Sequence, residues 1–554
     1  MSDSPGRAAR GSTLVAAGIF LSRVAGVVRF VVMGAVLGSV PAVTDAFAFA
    51  LRLPNLMQNL LGEGSLSASF IPVYARLVEE DRTEEADDLA GAVVSILGLL
   101  TAAIVVLGLV LARPLVWLFT AWESDPEKYE LAIGLTRITT VGIGFLVISA
   151  WCLGILNSHR SFFLSYVAPV IWNAAQIAAL VLFGLLAWSE ADIATAVAWA
   201  VVVGGVAQVL VQLPRVRRYA PTIRPNLVRT DALGDVIRRF APAVGARGVV
   251  QISSYADLAL AGLLASGALT WYTWALPLYL LPVSLFGFSV AAAELAEMSR
   301  TTGGGAGVAA RLTPALRRVL VPAGYVTAAF LAASPQLVDG LYGFVSRLLG
   351  RGLDDPAKIL AIAFVLTAFA LGLPATMTAR VTQNTLYSLG DVRGPARIAV
   401  VRLLVSVAVG LVLIFQLDWV TFDGTRLRTL GDVPHWPPWE GLPRELRDFP
   451  PAPHLGVVGL ALGASVASWV EWYLLRRRLS RRLGAPVRSG WARPITVAAV
   501  AAGAVMFLLG RLPVPSPVDA VVLALGGLAV YAFALWLQGL RPEIAGRLSV
   551  PTRD

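Results

Sequence analysis

Five arginines lie within long apolar stretches of the chain, where a positive charge needs a chemical reason. They are Arg23, Arg29, Arg52, Arg137 and Arg247. An arginine at the centre of a membrane-spanning helix costs about 2.5–3.5 kcal/mol on insertion scales. Because arginine stays ionised and binds phosphate through a planar fork, a group of them predicts a cavity for an anion. Diphosphate-linked lipids fit this description, and so do smaller organic anions.

Helical spacing groups the first two arginines with small and polar residues. Ser22, Gly26 and Arg29 stack on one helix face, and Arg23 lies on its flank. Gly26 leaves room for a substrate group between the two guanidinium groups. Both arginines lie about 16 Å or more from the nearest start of their helix. They therefore reach the interface poorly, whereas snorkelling stays an equal alternative for Arg137, about two turns into its span.

A second polar stripe follows in the next apolar segment. Its members are Asp45, Arg52, Asn55, Asn59 and Glu63. On one continuous helix they fall within about an 80° sector. Pro54 must break or kink that helix near the preceding turn. We interpret the stripe as the wall of a hydrated cavity, and the alternative is that Asp45 simply pairs with an arginine and neutralises it.

Composition shows which elements must position these side chains. The chain has 554 residues, of which 57% are hydrophobic and 14% charged, and its mean hydropathy is +0.72. Soluble proteins carry about 25% charged residues, so the sequence predicts an all-α integral membrane protein. A span needs about 20 apolar residues. Fourteen segments qualify: 12–38, 44–76, 89–112, 131–156, 161–187, 193–213, 240–265, 270–297, 313–333, 357–383, 395–416, 454–475, 492–511 and 517–538.

The distribution of basic residues predicts the topology. Thirty arginines, Arg380 among them, lie in or next to the terminal tails and the even-numbered connections, and we assign them to the cytoplasmic side. Ten arginines and lysines, Lys128 among them, lie in or next to the odd-numbered connections. This bias predicts an even number of spans, with both termini in the cytoplasm. The net charge of +10 then reflects anchoring at the membrane surface, and we expect no nucleic-acid partner.

Several chemistries lack the residues that they need. The chain has one cysteine, Cys152, and three histidines, so we expect no disulfide, no metal site and no cofactor. Neither lysine, Lys128 or Lys358, lies in a P-loop. An enzyme is disfavoured, because no histidine lies in the interior of a span and no nucleophile–base pairing is visible.

Two connections are polar. Residues 77–88 form an acidic cytoplasmic turn, and residues 417–453 form the longest external loop. The tryptophans of this loop, Trp419 and those of segment 435–440, are predicted to be interfacial anchors. The alternative is that the loop docks a partner protein.

At these residues the sequence resembles the lipid II flippase family, MurJ, of the multidrug/oligosaccharidyl-lipid/polysaccharide exporter superfamily. The matching segments are 22–29 (SRVAGVVR), 44–47 (TDAF), 52–55 (RLPN), 63–67 (EGSLS), 70–72 (FIP), 135–138 (LTRI), 154–159 (GILNSH) and 387–391 (YSLGD). Their order covers residues 12–400, and the N-terminal blocks are the most specific.

The resemblance implies two six-helix lobes around a cationic cavity. The N-lobe would be residues 1–215, the C-lobe residues 216–480, and residues 481–554 would hold two further spans, a groove for a polyprenyl tail and a cytoplasmic tail. It implies that a monomer moves lipid II outward by alternating access, with the membrane potential as a driving force. Arg23 and Arg29 match essential arginines of the family, Asp45 and Glu63 match its acids, and Arg52 occupies a basic position.

Three positions depart from the family pattern. Phe30 stands where the family has an aspartate, and Gln58 and Pro277 stand where it has arginines. The C-lobe arginine is therefore missing, and Arg247 is a candidate to supply its charge. These departures leave a second cargo open, namely another lipid-linked oligosaccharide or an amphiphile. A third alternative is a non-transporting scaffold that recruits cell-wall synthesis proteins through the loop 417–453.

Overall fold

The structure is a computed structural model, and its described residues form almost only helices. The described residues are 5–120, 122, 125–159, 161–291, 294, 298, 304–350, 352–391, 393–431, 441–448, 450, 452–484, 492–512 and 517–540. They form two compact units. The lobe bounds expected from the sequence stay a prediction.

The first unit contains both polar stripes that the sequence predicts. It comprises Met1–Thr270, Val345–Leu353 and Pro443–Pro450. Its helices are α1 (Pro5–Leu37), α2 (Pro41–Ala50), α3 (Arg52–Leu61), α4 (Glu63–Glu79), α5 (Thr83–Phe119), α6 (Pro126–Ser158), α7 (Phe162–Leu185), α8 (Glu190–Tyr219), α9 (Asp231–Gly262) and the first turn of α10 (Ala268–Pro282).

The second unit contains the remaining long helices and one hairpin. It comprises Trp271–Phe344, Asp354–Leu442 and Pro451–Asp554. Beyond α10 the elements in chain order are a π-helix (Val283–Phe288), α11 (Gly304–Val338), a π-helix (Asp339–Gly343), α12 (Phe344–Leu349), α13 (Pro356–Ala370), α14 (Leu373–Ser388), α15 (Arg393–Asp418), β1 (Val420–Asp423), β2 (Arg426–Thr429), α16 (Arg444–Asp448, assigned with α12 largely to the first unit), α17 (Gly456–Leu483), α18 (Ala492–Leu509) and α19 (Val518–Leu537).

The described helices confirm the all-α membrane class. Ten helices are long and apolar enough to cross a membrane, and the bent pair α13–α14 brings the number to as many as eleven. These segments correspond to eleven of the fourteen expected spans. The first, second and seventh expected spans are also helical, as α1, α2–α4 and α9. The full count of fourteen stays a prediction.

The second expected span is interrupted twice. One helix ends at Ala50 and the next begins at Arg52, because Pro54 has no N–H to donate to the carbonyl of Ala50. This confirms the expected break. A further break at Gly62 was not expected, and a Cβ at this position would lie 2.2 Å from the Gln58 carbonyl oxygen. The stripe from Asp45 to Glu63 is therefore divided among three helices.

Each unit has an apolar core built from its own helices. In the first unit, Phe70, Tyr74 and Trp151 are buried where α4, α5, α6, α8 and α9 meet. In the second, α18 and α19 pack on α11 through small side chains such as Ala498 and Ala502. Small residues allow close approach of helices in a membrane, where lipid is as apolar as the helix surface.

Part of the expected external loop lies among the described residues. Strands β1 and β2 form an antiparallel hairpin. Within the first unit, α16 contacts the segment before α10, where the Ser266 amide donates to the Arg447 carbonyl at 2.7 Å. Segment 435–440, whose tryptophans were expected to anchor the loop, lies outside the described residues.

Candidate functional site

Arg29 is buried inside the first unit. Only 7% of the surface of this residue is exposed, although its side chain is positively charged. The guanidinium donates from Nη1 to Gln176 Oε1 on α7 at 3.1 Å. It also lies 4.7 Å from the ring centroid of Phe30 and 4.8 Å from that of Trp172. Two aromatic rings and one amide therefore surround this side chain.

Helices α7 and α8 fix the two partners on α7. Trp172 Nε1 donates to the carbonyl of Val201 at 3.2 Å, and a Cβ at Gly204 would lie 3.1 Å from Trp172 Cα. The close approach at Gly204 therefore seats the tryptophan. Gln176 Nε2 donates to the Trp172 carbonyl at 3.2 Å, which leaves Oε1 of the same amide for Arg29.

The charge of Arg29 is not neutralised by these contacts. Among the described residues, no carboxylate lies within 4.0 Å of its guanidinium, and its Nε atom is buried without an acceptor. A cation–π contact contributes about 0.5–2 kcal/mol, and a neutral amide contributes a hydrogen bond, but neither supplies a negative charge. A buried cation with spare donors is suited to bind an anion.

The other predicted residues of the first two spans are more open. Arg23 is exposed and Ser22 is partly buried on α1, while on α3 Arg52 is partly buried and Asn55 is exposed. None of the four side chains forms a hydrogen bond or ion pair within the described part of the chain. The side chains of Glu63 and Arg247 lie outside the described residues.

Asp45 lies in a different environment from Arg29. Its Oδ2 accepts from Lys128 Nζ at 2.7 Å and from the Gly267 amide at 2.9 Å. Its Oδ1 accepts from the amide and the hydroxyl of Thr270 at 2.7 and 2.6 Å. Both side chains of the ion pair are 2% exposed. We call these four residues the Asp45 cluster.

The Asp45 cluster corrects the expected pairing of this carboxylate. The sequence left two roles open for Asp45, part of a cavity wall or pairing with an arginine, and assigned Lys128 to an external connection. In the structure Asp45 pairs with Lys128. Thr270 belongs to the first turn of α10, so Asp45 also caps the positive end of that helix. Its charge is satisfied on every side, which favours the neutralising role over direct binding of an anion.

Sequence reasoning missed three residues of these environments. Gln176 and Trp172 lie in the apolar segment 161–187. The sequence indicates a role for them only because a polar and a bulky residue occur beside Asn173 on one face of an apolar helix. Lys128 is the third. Nothing in the sequence signals its contact with Asp45, which joins residues 83 positions apart.

Comparisons with known proteins place the chain among flippases. The sequence model of the family "Lipid II flippase MurJ" matches residues 33–423. The chain is 31% identical to a probable lipid II flippase MurJ of Bdellovibrio bacteriovorus, over 73% of this chain and 76% of the relative. It is 30% identical to the lipid II flippase MurJ of Burkholderia cenocepacia, over 70% of this chain and 74% of the relative.

Solved structures of two transporters are similar in fold to this chain. A lipid II flippase MurJ in an inward closed conformation aligns with a TM-score of 0.73 and 20% identity, covering 95% of this chain and 99% of that one. A multidrug resistance MATE family transporter in an inward-facing conformation aligns with a TM-score of 0.64 and 17% identity, covering 83% and 95%. These two likenesses concern the fold alone.

Proposed function

Since the chain belongs to the lipid II flippase MurJ family, we propose that it moves lipid II across the bacterial inner membrane. The cargo is a polyprenyl-diphosphate-linked peptidoglycan precursor, carried from the cytoplasmic to the outer leaflet by alternating access. It leaves chemically unchanged, so the protein acts as a transporter and not as an enzyme. The observation that carries this proposal is Arg29, a buried cation with no carboxylate beside it in the described residues.

Three arginines bind the diphosphate in this proposal. Arg23 and Arg52 are accessible and first attract the phosphates, and Arg29 binds them more tightly because it is desolvated. Gln176, Trp172 and Phe30 position Arg29 without neutralising it. Each elementary charge that crosses the membrane gains or loses about 2.3 kcal/mol per 100 mV, so the membrane potential is a driving force.

The Asp45 cluster and the last two helices have supporting roles in this mechanism. Asp45 and Lys128 hold the beginning of α10 in place. Exposed apolar side chains of α18 and α19, among them Phe507, Leu525 and Phe533, contact the polyprenyl tail, which stays in lipid. Both termini lie in the cytoplasm.

Reconstituted transport of lipid II tests the proposal. We expect Arg29→Gln and Arg23→Gln to reduce flipping at least tenfold, since a hydrogen bond to a charged group contributes about 1.5–3 kcal/mol. Arg82→Gln is the matched control, because Arg82 is exposed on the turn between α4 and α5. Wild-type flipping rates in the Arg29 and Arg23 variants would exclude this mechanism.

A second cargo is favoured by the contact between Arg29 and Phe30. The ring lies where the family pattern has an aspartate, so the anion site is more positive and less polar than that pattern implies. Another lipid-linked oligosaccharide or an anionic amphiphile fits such a site. Complementation of a cell depleted of its lipid II flippase distinguishes the cargoes, because rescue requires lipid II transport.

A further inference from the structure

The second unit also contains an arginine within a membrane-spanning segment, Arg380. Arg380 was assigned to the cytoplasmic set from the sequence, but it lies within α14, eight residues before the end of that helix at Ser388. This corresponds to about 12 Å along the helix axis. Arg380 is partly buried, and α14 is part of a bent membrane-spanning pair. Its charge therefore needs a reason, as the charge of Arg29 does.

The surroundings of Arg380 repeat those of Arg29. Its Nη1 donates to Gln383 Oε1 at 3.3 Å, and its guanidinium lies 5.2 Å from the ring centroid of Phe288. Gln383 Nε2 donates to the Tyr387 hydroxyl at 2.8 Å, which leaves Oε1 for the arginine. A ring and an oriented glutamine thus hold each of the two guanidinium groups.

Among the described residues, no carboxylate forms an ion pair with Arg380. The nearby acid is Glu471 of α17, which is buried and already pairs with Arg402 Nε at 3.4 Å. Within the described residues, no carboxylate oxygen lies within 4.0 Å of the Arg380 guanidinium. This part of the second unit therefore keeps a net positive charge.

Local backbone geometry brings Phe288 to Arg380. Residues Val283–Phe288 form a π-helix after Pro282, a wider turn that often occurs at functional sites. Gly287 lies against Met377 of α14, such that an added Cβ would be 3.4 Å from Met377 Cγ. This contact lies one turn before Arg380 and places the next residue, Phe288, beside the guanidinium.

We propose that Arg380, Gln383 and Phe288 form a second oxyanion-binding site, which binds a phosphate or carboxylate group of the cargo during transport. The site supplies the second unit with the cation that Pro277 does not provide. Arg380 offers a guanidinium fork for two oxygen atoms, Phe288 holds its plane, and Gln383 orients it. The inference rests on the proposed function, since the cargo that brings the oxyanion is lipid II.

Equilibrium binding of lipid II to the full chain in nanodiscs tests this site. We expect Arg380→Gln to weaken binding about tenfold or more, with unchanged thermal stability. Arg380→Lys keeps the charge but loses the fork, so its affinity should lie between the two. Arg397→Gln, an exposed arginine of α15, is the matched control and should bind like the wild type.

A second variant covers the case in which Arg380→Gln does not fold. Gln383→Glu keeps the side-chain size and gives Arg380 a carboxylate, so it should weaken lipid II binding to a similar extent. Undecaprenyl diphosphate as a second probe identifies the oxyanion. Loss of affinity for both probes indicates the diphosphate, and loss for lipid II alone indicates a carboxylate of its head group.

The two proposals fail in different ways. If the wild type binds lipid II and Arg29→Gln does not, but Arg380→Gln and Gln383→Glu bind like the wild type, the second site is wrong and the proposed function stands. If the wild type itself neither binds nor flips lipid II, the proposed function is wrong.

Discussion

The Asp45 cluster and the surroundings of Arg29 bury charge in the same unit in opposite ways. Asp45 is surrounded by four donor groups, one of which is the charged amine of Lys128. Arg29 has two rings and one neutral amide around it. The first arrangement is complete without a ligand, and the second lacks an anion. Buried charge alone therefore does not identify a binding site; the absence of a countercharge does.

The energetics of the two regions differ for the same reason. Removing one partner of a buried ion pair leaves the other charge without compensation, which costs about 3–5 kcal/mol. Removing the charge of Arg29 leaves no buried partner charge without compensation, because no carboxylate pairs with Arg29 in the described residues. We therefore expect substitutions in the Asp45 cluster to act on stability, and substitutions around Arg29 to act on cargo.

The largest effect on stability should follow from Asp45→Asn. The variant leaves Lys128 charged and buried, so its free energy of unfolding should fall by about 3–5 kcal/mol. The double variant Asp45→Asn/Lys128→Met removes both charges and should recover most of that loss. Denaturant unfolding of the purified full chain in detergent measures both values.

A surface ion pair provides the control for that prediction. Arg113 Nη2 and Glu130 Oε1 are 2.6 Å apart, but their side chains are 55% and 56% exposed. Glu130→Gln should cost less than about 1 kcal/mol. Equal losses in Asp45→Asn and Glu130→Gln would contradict the view that burial makes the first pair structural.

The next prediction converts one region into the other. Gln176→Glu places a carboxylate beside Arg29, which should keep or raise the stability of the fold and reduce lipid II flipping at least tenfold. Gln176→Met is the matched variant, since it removes the hydrogen bond and leaves the charge of Arg29 in place. Flipping rates and melting temperatures of the two variants separate charge from packing.

The opposite result for the two Gln176 variants would contradict this prediction. If Gln176→Met lost flipping and Gln176→Glu retained it, the amide would act as a ligand of the cargo. Arg29 would then not need its positive charge, and the absence of a countercharge would not explain how it binds the cargo.

A smaller effect is expected from the ring beside Arg29. Trp172→Leu removes one cation–π contact, worth about 0.5–2 kcal/mol, and should weaken lipid II binding several-fold. Trp172→Phe keeps a ring and should stay close to the wild type. Trp199→Leu, at an exposed tryptophan of α8, is the control, and binding in nanodiscs measures all three.

These comparisons also show what sequence could predict. Arg29 was identified because an arginine in an apolar stretch has a cost that is independent of its neighbours. Gln176 and Trp172 carry no such cost, so only the packing of α1 on α7 assigns them a role. Membrane class and the break near Pro54 followed from local composition and from the missing N–H of proline.

Charge pairing was the least predictable feature. Lys128 lies near the beginning of α6 and was assigned to a connection, because its distance from Asp45 in sequence hides the contact. Arg380 was assigned to a helix end for a similar reason, since hydropathy does not show how far a guanidinium lies from the end of its helix. Both depend on which helices become neighbours.

The smallest effect should come from a paired charge whose partner is exposed. Asp391 lies in the turn before α15, where its side chain accepts from the Gly394 amide at 3.0 Å and from Arg478 Nη2 at 3.0 Å. Hydrogen bonding to Arg478 and to that amide holds the pKa of Asp391 below its ordinary value. Because Arg478 is 37% exposed, Asp391→Asn should cost only about 1 kcal/mol at neutral pH.

The pH dependence of stability tests the pairing of Asp391 with Arg478. A carboxylate whose pKa is lowered by folding stabilises the protein above its ordinary pKa, near 4, and this contribution is lost as the pH falls through the lowered value. The difference in melting temperature between wild type and Asp391→Asn should therefore be constant from pH 7 to about pH 5 and shrink below about pH 4. A difference that grows on acidification would show that Asp391 is not stabilised by Arg478, and that exposure of the partner removes the interaction altogether.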